Sequence, residues 1–101
     1  MALERRYKVL VASGGEEGLR LFREQKVNLV ITDLSMPGMD GFQVMLELRE
    51  INPKVKIIAN SGLMVQPSIR QLAITAGADA CIAKPVNIEL LQNIMAELLR
   101  K

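Results

Sequence analysis

A chain of 101 residues, half of them hydrophobic and 24% charged, is long enough for one packed domain and too short for two. A net charge of +2 spread over scattered basic residues gives no sign of an electrostatic nucleic-acid face, and 3% aromatics make a stacking platform for single strands hard to build. The absence of histidine removes Ser-His and Cys-His nucleophile pairs and histidine metal sites, and the single cysteine cannot close an internal disulfide.

The first apolar run, Lys8–Ala12, reads as a strand. Ser13-Gly14-Gly15-Glu16 follows with the spacing of a capping box, a hydroxyl and then a carboxylate three residues on. A helix is therefore expected from there, with Leu19 and Phe22 inward and an end near Gln25. Leu29–Thr32 is the next strand. A helix from about Gly41 repeats its apolar face at Val44, Met45, Leu48 and Ile51 until Pro53 stops it. Lys56–Ala59 is a third strand. The helix after Pro67 carries Ile69, Leu72, Ala73 and Ala76 on one stripe, with Gly77 as its C-terminal cap. Ala80–Ala83 is the fourth strand, and Asn87 is a good N-cap for a last helix repeating Leu91, Ile94, Met95 and Leu98.

The order is β-α-β-α-β-α-β-α over residues 1–101, a single α/β domain. The strands are short and apolar without polar alternation, as a parallel sheet covered on both faces requires. No apolar run approaches the roughly 20 residues that span a bilayer, and Met1–Lys8 carries no signal-peptide pattern. A cytoplasmic chain with no membrane and no nucleic-acid partner is expected, and lone cysteine usage fits that compartment.

Ligands and chemistry in parallel α/β sheets gather at the carboxyl ends of the strands. Asp33, Ser61 and Lys84 fall there, one after each of the last three strands. Singly, each reads first as a turn or capping residue. Together they put a carboxylate, a hydroxyl and an ammonium on one rim. A carboxylate can accept a phosphoryl group, and a Lys cation and a Ser hydroxyl can hold its oxygens.

Asp33-Leu34-Ser35-Met36-Pro37-Gly38-Met39-Asp40-Gly41 resembles the phosphoacceptor loop of bacterial two-component response-regulator receiver domains. Ser61-Gly62 resembles that family's switch hydroxyl, and Ala76-Gly77-Ala78-Asp79 with Lys84-Pro85 resembles its last turn, strand and Lys-Pro pair. The resemblance implies a flavodoxin-like, three-layer αβα receiver fold. It implies phosphorylation of Asp33 by a partner histidine kinase or phosphotransfer protein, with Ser61 and Lys84 as ligands of the phosphoryl group. Asp33 and the Ser35 backbone carbonyl would hold Mg²⁺, and the Lys84-Pro85 bond would be cis. Such a domain is a phosphorelay module and not an enzyme.

The same resemblance implies an incomplete receiver, with four strands and four helices. Met1–Arg6 matches only the last turn of the family's first helix, so the first strand and its acidic pair are missing from these 101 residues. Mg²⁺ prefers six oxygens, and Asp33 with one carbonyl leaves most of them to water, so the ion is expected to be held weakly or not at all. Glu16-Glu17 reads as a solvated first helical turn. Cys81 stands where the family usually carries an aromatic, and reads as packing. Asp40 and Asp79 read as loop and turn residues. A hydrolase would need a second acid that Ser35 and Pro37 do not offer. A nucleotide loop at Gly14–Gly18 lacks the G-x-G-x-x-G register. The remaining alternative is a non-catalytic pseudo-receiver acting in protein interaction or dimerisation. Three helices are expected on one sheet face and Ile88–Leu99 alone on the other. Self-association is therefore expected, through that uncovered face, the Lys8–Ala12 edge or an exchanged element.

Overall fold

Each strand here feeds two cores at once, which explains why its residues are apolar at consecutive positions. The computed structural model describes residues 15–34, 41–62 and 66–100. The elements in chain order are α1 (Gly15–Glu24), β1 (Leu29–Asp33), α2 (Gly41–Ile51), β2 (Lys56–Ser61), α3 (Pro67–Thr75), β3 (Ala80–Ala83) and α4 (Ile88–Leu98). The strand expected at Lys8–Ala12 and the Ser13 cap lie outside the described residues.

The sheet runs β1-β2-β3, parallel throughout. Leu29 lies opposite Lys56 and Asp33 opposite Asn60, while Ile58 pairs with Ala80 and Ser61 with Ala83. Ile57 and Ala59 of β2 join a core with Leu19 and Phe22 of α1, Val44, Met45 and Leu48 of α2, and Ala73 of α3. The intervening Ile58 joins a second core with Ile82, Leu91 and Met95, under α4. Three helices thus lie on one face and α4 on the other, the arrangement expected of right-handed crossovers in a parallel sheet. No helix among the described residues is long and apolar enough to cross a membrane.

Local chemistry accounts for the helix ends. Glu16 and Glu17 stand in the first turn of α1, where the helix dipole favours carboxylates. Pro67 opens α3, where its missing N–H costs nothing. Asn87 caps α4, its Oδ1 accepting from the Leu90 N–H at 2.9 Å.

Two positions depart from the periodicity. Ile51 is 40% exposed and Leu72 is 55% exposed, although both fall on the expected apolar stripes. Ile51 is the last residue of α2, and the chain turns away at Pro53 before anything can cover it. In α3 only Ala73 is fully buried, with Ile69 and Ala76 packed at its margin. The helix meets the sheet along a narrow, small-residue line that leaves Leu72 outside. The strands also run further than their apolar cores suggest, since β1 includes Asp33 and β2 includes Ser61.

Asp79 does more than turn the chain. Its carboxylate accepts from the Ile57 N–H at 2.8 Å and pairs with the Arg49 guanidinium at 2.8 Å. Arg49 also donates to the Gly77 carbonyl at 2.7 Å and the Pro53 carbonyl at 3.0 Å, so one side chain ties the end of α2 to the α3–β3 turn. Gly77 has φ +119°, and a Cβ there would stand 3.1 Å from Arg49 Cγ. The positive φ is what favours glycine there, and the Arg49 stem leaves little room for a side chain. Arg49→Leu should destabilise the fold by about 2–3 kcal/mol, because it leaves a partly buried carboxylate and the carbonyls of Pro53, Val55 and Gly77 short of a donor. Equilibrium urea unfolding measures this, and a loss below about 0.5 kcal/mol, the size of an ordinary surface substitution, contradicts it.

Candidate functional site at the carboxyl rim of the sheet

Parallel strands end on the same side, so Asp33, Ser61 and Lys84 share one rim: Asp33 closes β1, Ser61 closes β2 and Lys84 follows β3 directly. The Lys84 ammonium donates to Asp33 Oδ2 in an ion pair that joins the first strand to the third. Both side chains are partly open, 30% for Asp33 and 41% for Lys84, so a reactant can reach the pair. At that exposure the pair adds little to stability. Backbone bonds fix the rim beneath it. The Leu34 N–H donates to the Asn60 carbonyl at 3.0 Å, and the Lys84 N–H donates to the Ser61 carbonyl at 3.2 Å.

Strand periodicity divides the rim between the two faces. Ser61 shares its side with Ile57 and Ala59, toward α1–α3, and is buried. Asp33 and Asn60 are register partners on the α4 side, the side of Ile58. The Lys84-Pro85 peptide is cis. Ser35 and Asp40 lie outside the described residues. Glu16 and Glu17 begin α1. Cys81 is half-buried in β3 with its Sγ 4.0 Å from the Arg70 carbonyl oxygen. Burial pushes the Cys81 thiol up, and the Arg70 charge pulls it only part of the way back. A protonated, packed thiol is a poor nucleophile.

Asp33 offers a divalent ion one carboxylate. Among the described residues no group of three or more His, Cys, Asp and Glu side chains gathers into a metal cluster. Those residues do not by themselves make a cage for Mg²⁺, which takes oxygen ligands in near-octahedral geometry.

Two features of the rim escape sequence periodicity. A Cβ on Gly41 would come within 2.7 Å of both the Asp33 carbonyl oxygen and Leu34 Cα, so the first residue of α2 is pressed against the backbone that carries Asp33. The buried Thr32 Oγ1 and Asn60 Oδ1 have no hydrogen-bond partner. A polar Asn within the run Lys56–Ser61 was the visible signal for the second of these.

The sequence profile described as the response regulator receiver domain matches residues 1–96. The chain belongs to the response regulator receiver domain family. Its relatives include the transcriptional regulatory protein AfsQ1 of Streptomyces coelicolor, 33% identical over a 98-position alignment that covers 94% of this chain and 41% of that protein. The sensor protein EvgS of Escherichia coli K12 is 33% identical over a 95-position alignment that covers 91% of this chain and 8% of that protein. The chain therefore spans well under half of either relative. A response regulator receiver domain protein from Methanospirillum hungatei superposes with a TM-score of 0.82 at 31% identity, covering 95% of this chain and 77% of the other. A response regulator from Burkholderia pseudomallei, described with a phosphorylated aspartic acid, calcium ion and citrate, gives a TM-score of 0.81 at 31% identity, covering 96% and 55%. The parallel sheet with helices on both faces is accordingly the flavodoxin-like fold of receiver domains, described here for three strands and four helices.

In this receiver domain Gly41 is the tightest steric constraint on the site. Gly41→Ala should push the Asp33 backbone aside and destabilise the domain by about 1–3 kcal/mol, the usual cost of overpacking. Thermal unfolding, with amide chemical shifts of Asp33 and Leu34, reports both effects. Unchanged stability and unchanged shifts would show that α2 can retreat freely.

Proposed function

We propose that Asp33 is the phosphoacceptor of a two-component phosphorelay, charged by a partner histidine kinase or phosphotransfer protein. The observation that carries this reading is the Asp33 carboxylate held at the strand-end rim against the Lys84 ammonium, with Ser61 ending the next strand. Membership of the receiver family supports it, as does the likeness to a regulator described with a phosphorylated aspartic acid.

In the transfer, a carboxylate oxygen of Asp33 attacks the phosphorus of a phosphohistidine. The P–O bond forms as the P–N bond breaks, and the bonding pair leaves with the imidazole. The Lys84 ammonium, already beside the carboxylate, offsets charge on the arriving phosphoryl oxygens. The Ser61 hydroxyl, at the end of the next strand, would hold another of them. The domain acts as a substrate for phosphoryl transfer and not as an enzyme with turnover of its own.

Mg²⁺ is the expected cofactor, which Asp33 and, as the family resemblance implies, the Ser35 carbonyl would hold. When bound it neutralises phosphoryl charge. With one carboxylate on the described rim it binds weakly, and phosphorylation is correspondingly slow.

Incubation with a small acyl-phosphate donor and Mg²⁺, followed by intact-mass analysis, tests the reading. One phosphoryl group should appear on a minor fraction of the chain, and Asp33→Asn should abolish it. Lys84→Ala should leave the fold intact and remove the response to BeF₃⁻. Labelling that survives Asp33→Asn overturns the assignment, and fast stoichiometric labelling overturns the weak-metal part.

A second reading, self-association with another copy of the chain, is favoured by Ile31. This β1 residue is 39% exposed and falls on the α4 side of the sheet by strand periodicity. Light scattering after size exclusion should give a dimer at tens of micromolar, whereas a monodisperse 11.2 kDa monomer contradicts it.

A further inference from the structure

The Lys84–Asp33 ion pair spans the sheet from β3 to β1, so the lysine side chain has to pass over the middle strand. Asn60 is the β2 residue on that path. It is the register partner of Asp33 in one ladder and of Ile82 in the other, and Lys84 lies two residues past Ile82. A period of two along each strand places all three residues on the α4 side, with adjacent backbones about 4.8 Å apart. Directly below Asn60, the three residues Ile57, Ile58 and Ala59 are apolar and completely buried. An amide at the next position has no packing reason to be there.

The carboxamide oxygen of Asn60 is buried and accepts no hydrogen bond from the described residues. Such groups are rare in native proteins because an unpaired acceptor out of water is costly. An ammonium carries three donors, and the bond to Asp33 Oδ2 engages one.

We propose that Asn60 is a positioning residue for Lys84: its carboxamide oxygen is a second seat for the ammonium, taken up when Asp33 gives up that contact. The inference rests on Asp33 and Lys84 being the reactive pair of the proposed function. With the seat present, the cation withdraws from the carboxylate by a short step over β2 and stays at the rim as the phosphoryl group arrives. Without it, freeing Asp33 sends the ammonium into solvent, so Lys84 blocks the acceptor for longer and returns to the phosphoryl oxygens less often.

The test uses the full chain labelled with ¹⁵N-lysine. The proton–nitrogen resonance of the Lys84 ammonium, assigned by its loss in Lys84→Ala, is visible when the group is held by an acceptor and vanishes by exchange when it is free. Asp33→Ala removes the first seat, and the resonance should persist. Adding Asn60→Leu should abolish it, and adding Asn60→Asp instead should restore it. A role in packing alone would leave the signal indifferent to these changes. In the otherwise unaltered chain, Asn60→Leu should slow labelling of Asp33 by an acyl-phosphate donor about tenfold, the worth of one hydrogen bond to a charged group. Asn60→Ala serves the same purpose if the leucine variant does not fold.

Loss of the resonance in Asp33→Ala alone overturns the inference, because no second seat then exists. Its survival without the Asn60 amide, or labelling at the original rate, does so too. Labelling that persists in Asp33→Asn is a separate failure, of the phosphoacceptor reading itself.

Discussion

A lysine from the third strand reaches across the second to a carboxylate on the first, and that contact is possible only because all three strands end on the same side. Parallel pairing therefore governs everything at the rim. It aligns Asp33 with Asn60 and Ser61 with Ala83, so residues far apart in sequence meet at one level. The pair itself is half open to water and contributes little to the fold. On the proposed reading its significance is chemical, since the carboxylate proposed to accept a phosphoryl group is held beside a cation that the phosphoryl oxygens would need.

The remainder of the structure holds that rim still. The middle strand is buried between two cores, one under α1–α3 and one under α4, so it cannot slip without exposing Ile57, Ile58 and Ala59 together. The opposite end of the sheet is clamped by Arg49, which joins α2 to the α3–β3 turn through Gly77 and Asp79. At the near end Gly41 lets α2 close on the Asp33 backbone. Rigidity at these three places leaves side-chain motion at the rim as the cheapest response to a charge arriving there. Among the described residues, two of the three buried side-chain polar atoms without a hydrogen-bond partner, on Thr32 and Asn60, lie at that rim.

Much of this was legible in the residues. Strand positions followed from short apolar runs, and the helix starting near Gly41 with Val44, Met45 and Leu48 inward followed from 3.6-residue spacing. Asp33, Ser61 and Lys84 were identified because the topology alone sends strand ends to one rim, and the loop motif at Asp33 gave the family. The misses share a physical cause, dependence on tertiary distance. Periodicity assigns Ile51 and Leu72 to an apolar stripe but does not tell where the sheet stops, and both lie past its cover. The double role of Asp79 required knowing that Arg49 and Ile57 would stand beside it. The orphaned amide of Asn60 is visible only once its neighbours are in place.

The central claim is that Asp33, Ser61 and Lys84 form one phosphoryl-binding rim on a fixed sheet. Backbone amide chemical shifts before and after adding BeF₃⁻ with Mg²⁺ test it most directly. Changes should concentrate at Asp33–Leu34, Asn60–Gly62 and Lys84, with Arg49, Gly77 and Asp79 unmoved at the far edge. Shifts centred on the Arg49 edge, or none at the rim at saturating fluoride and beryllium, would contradict the account.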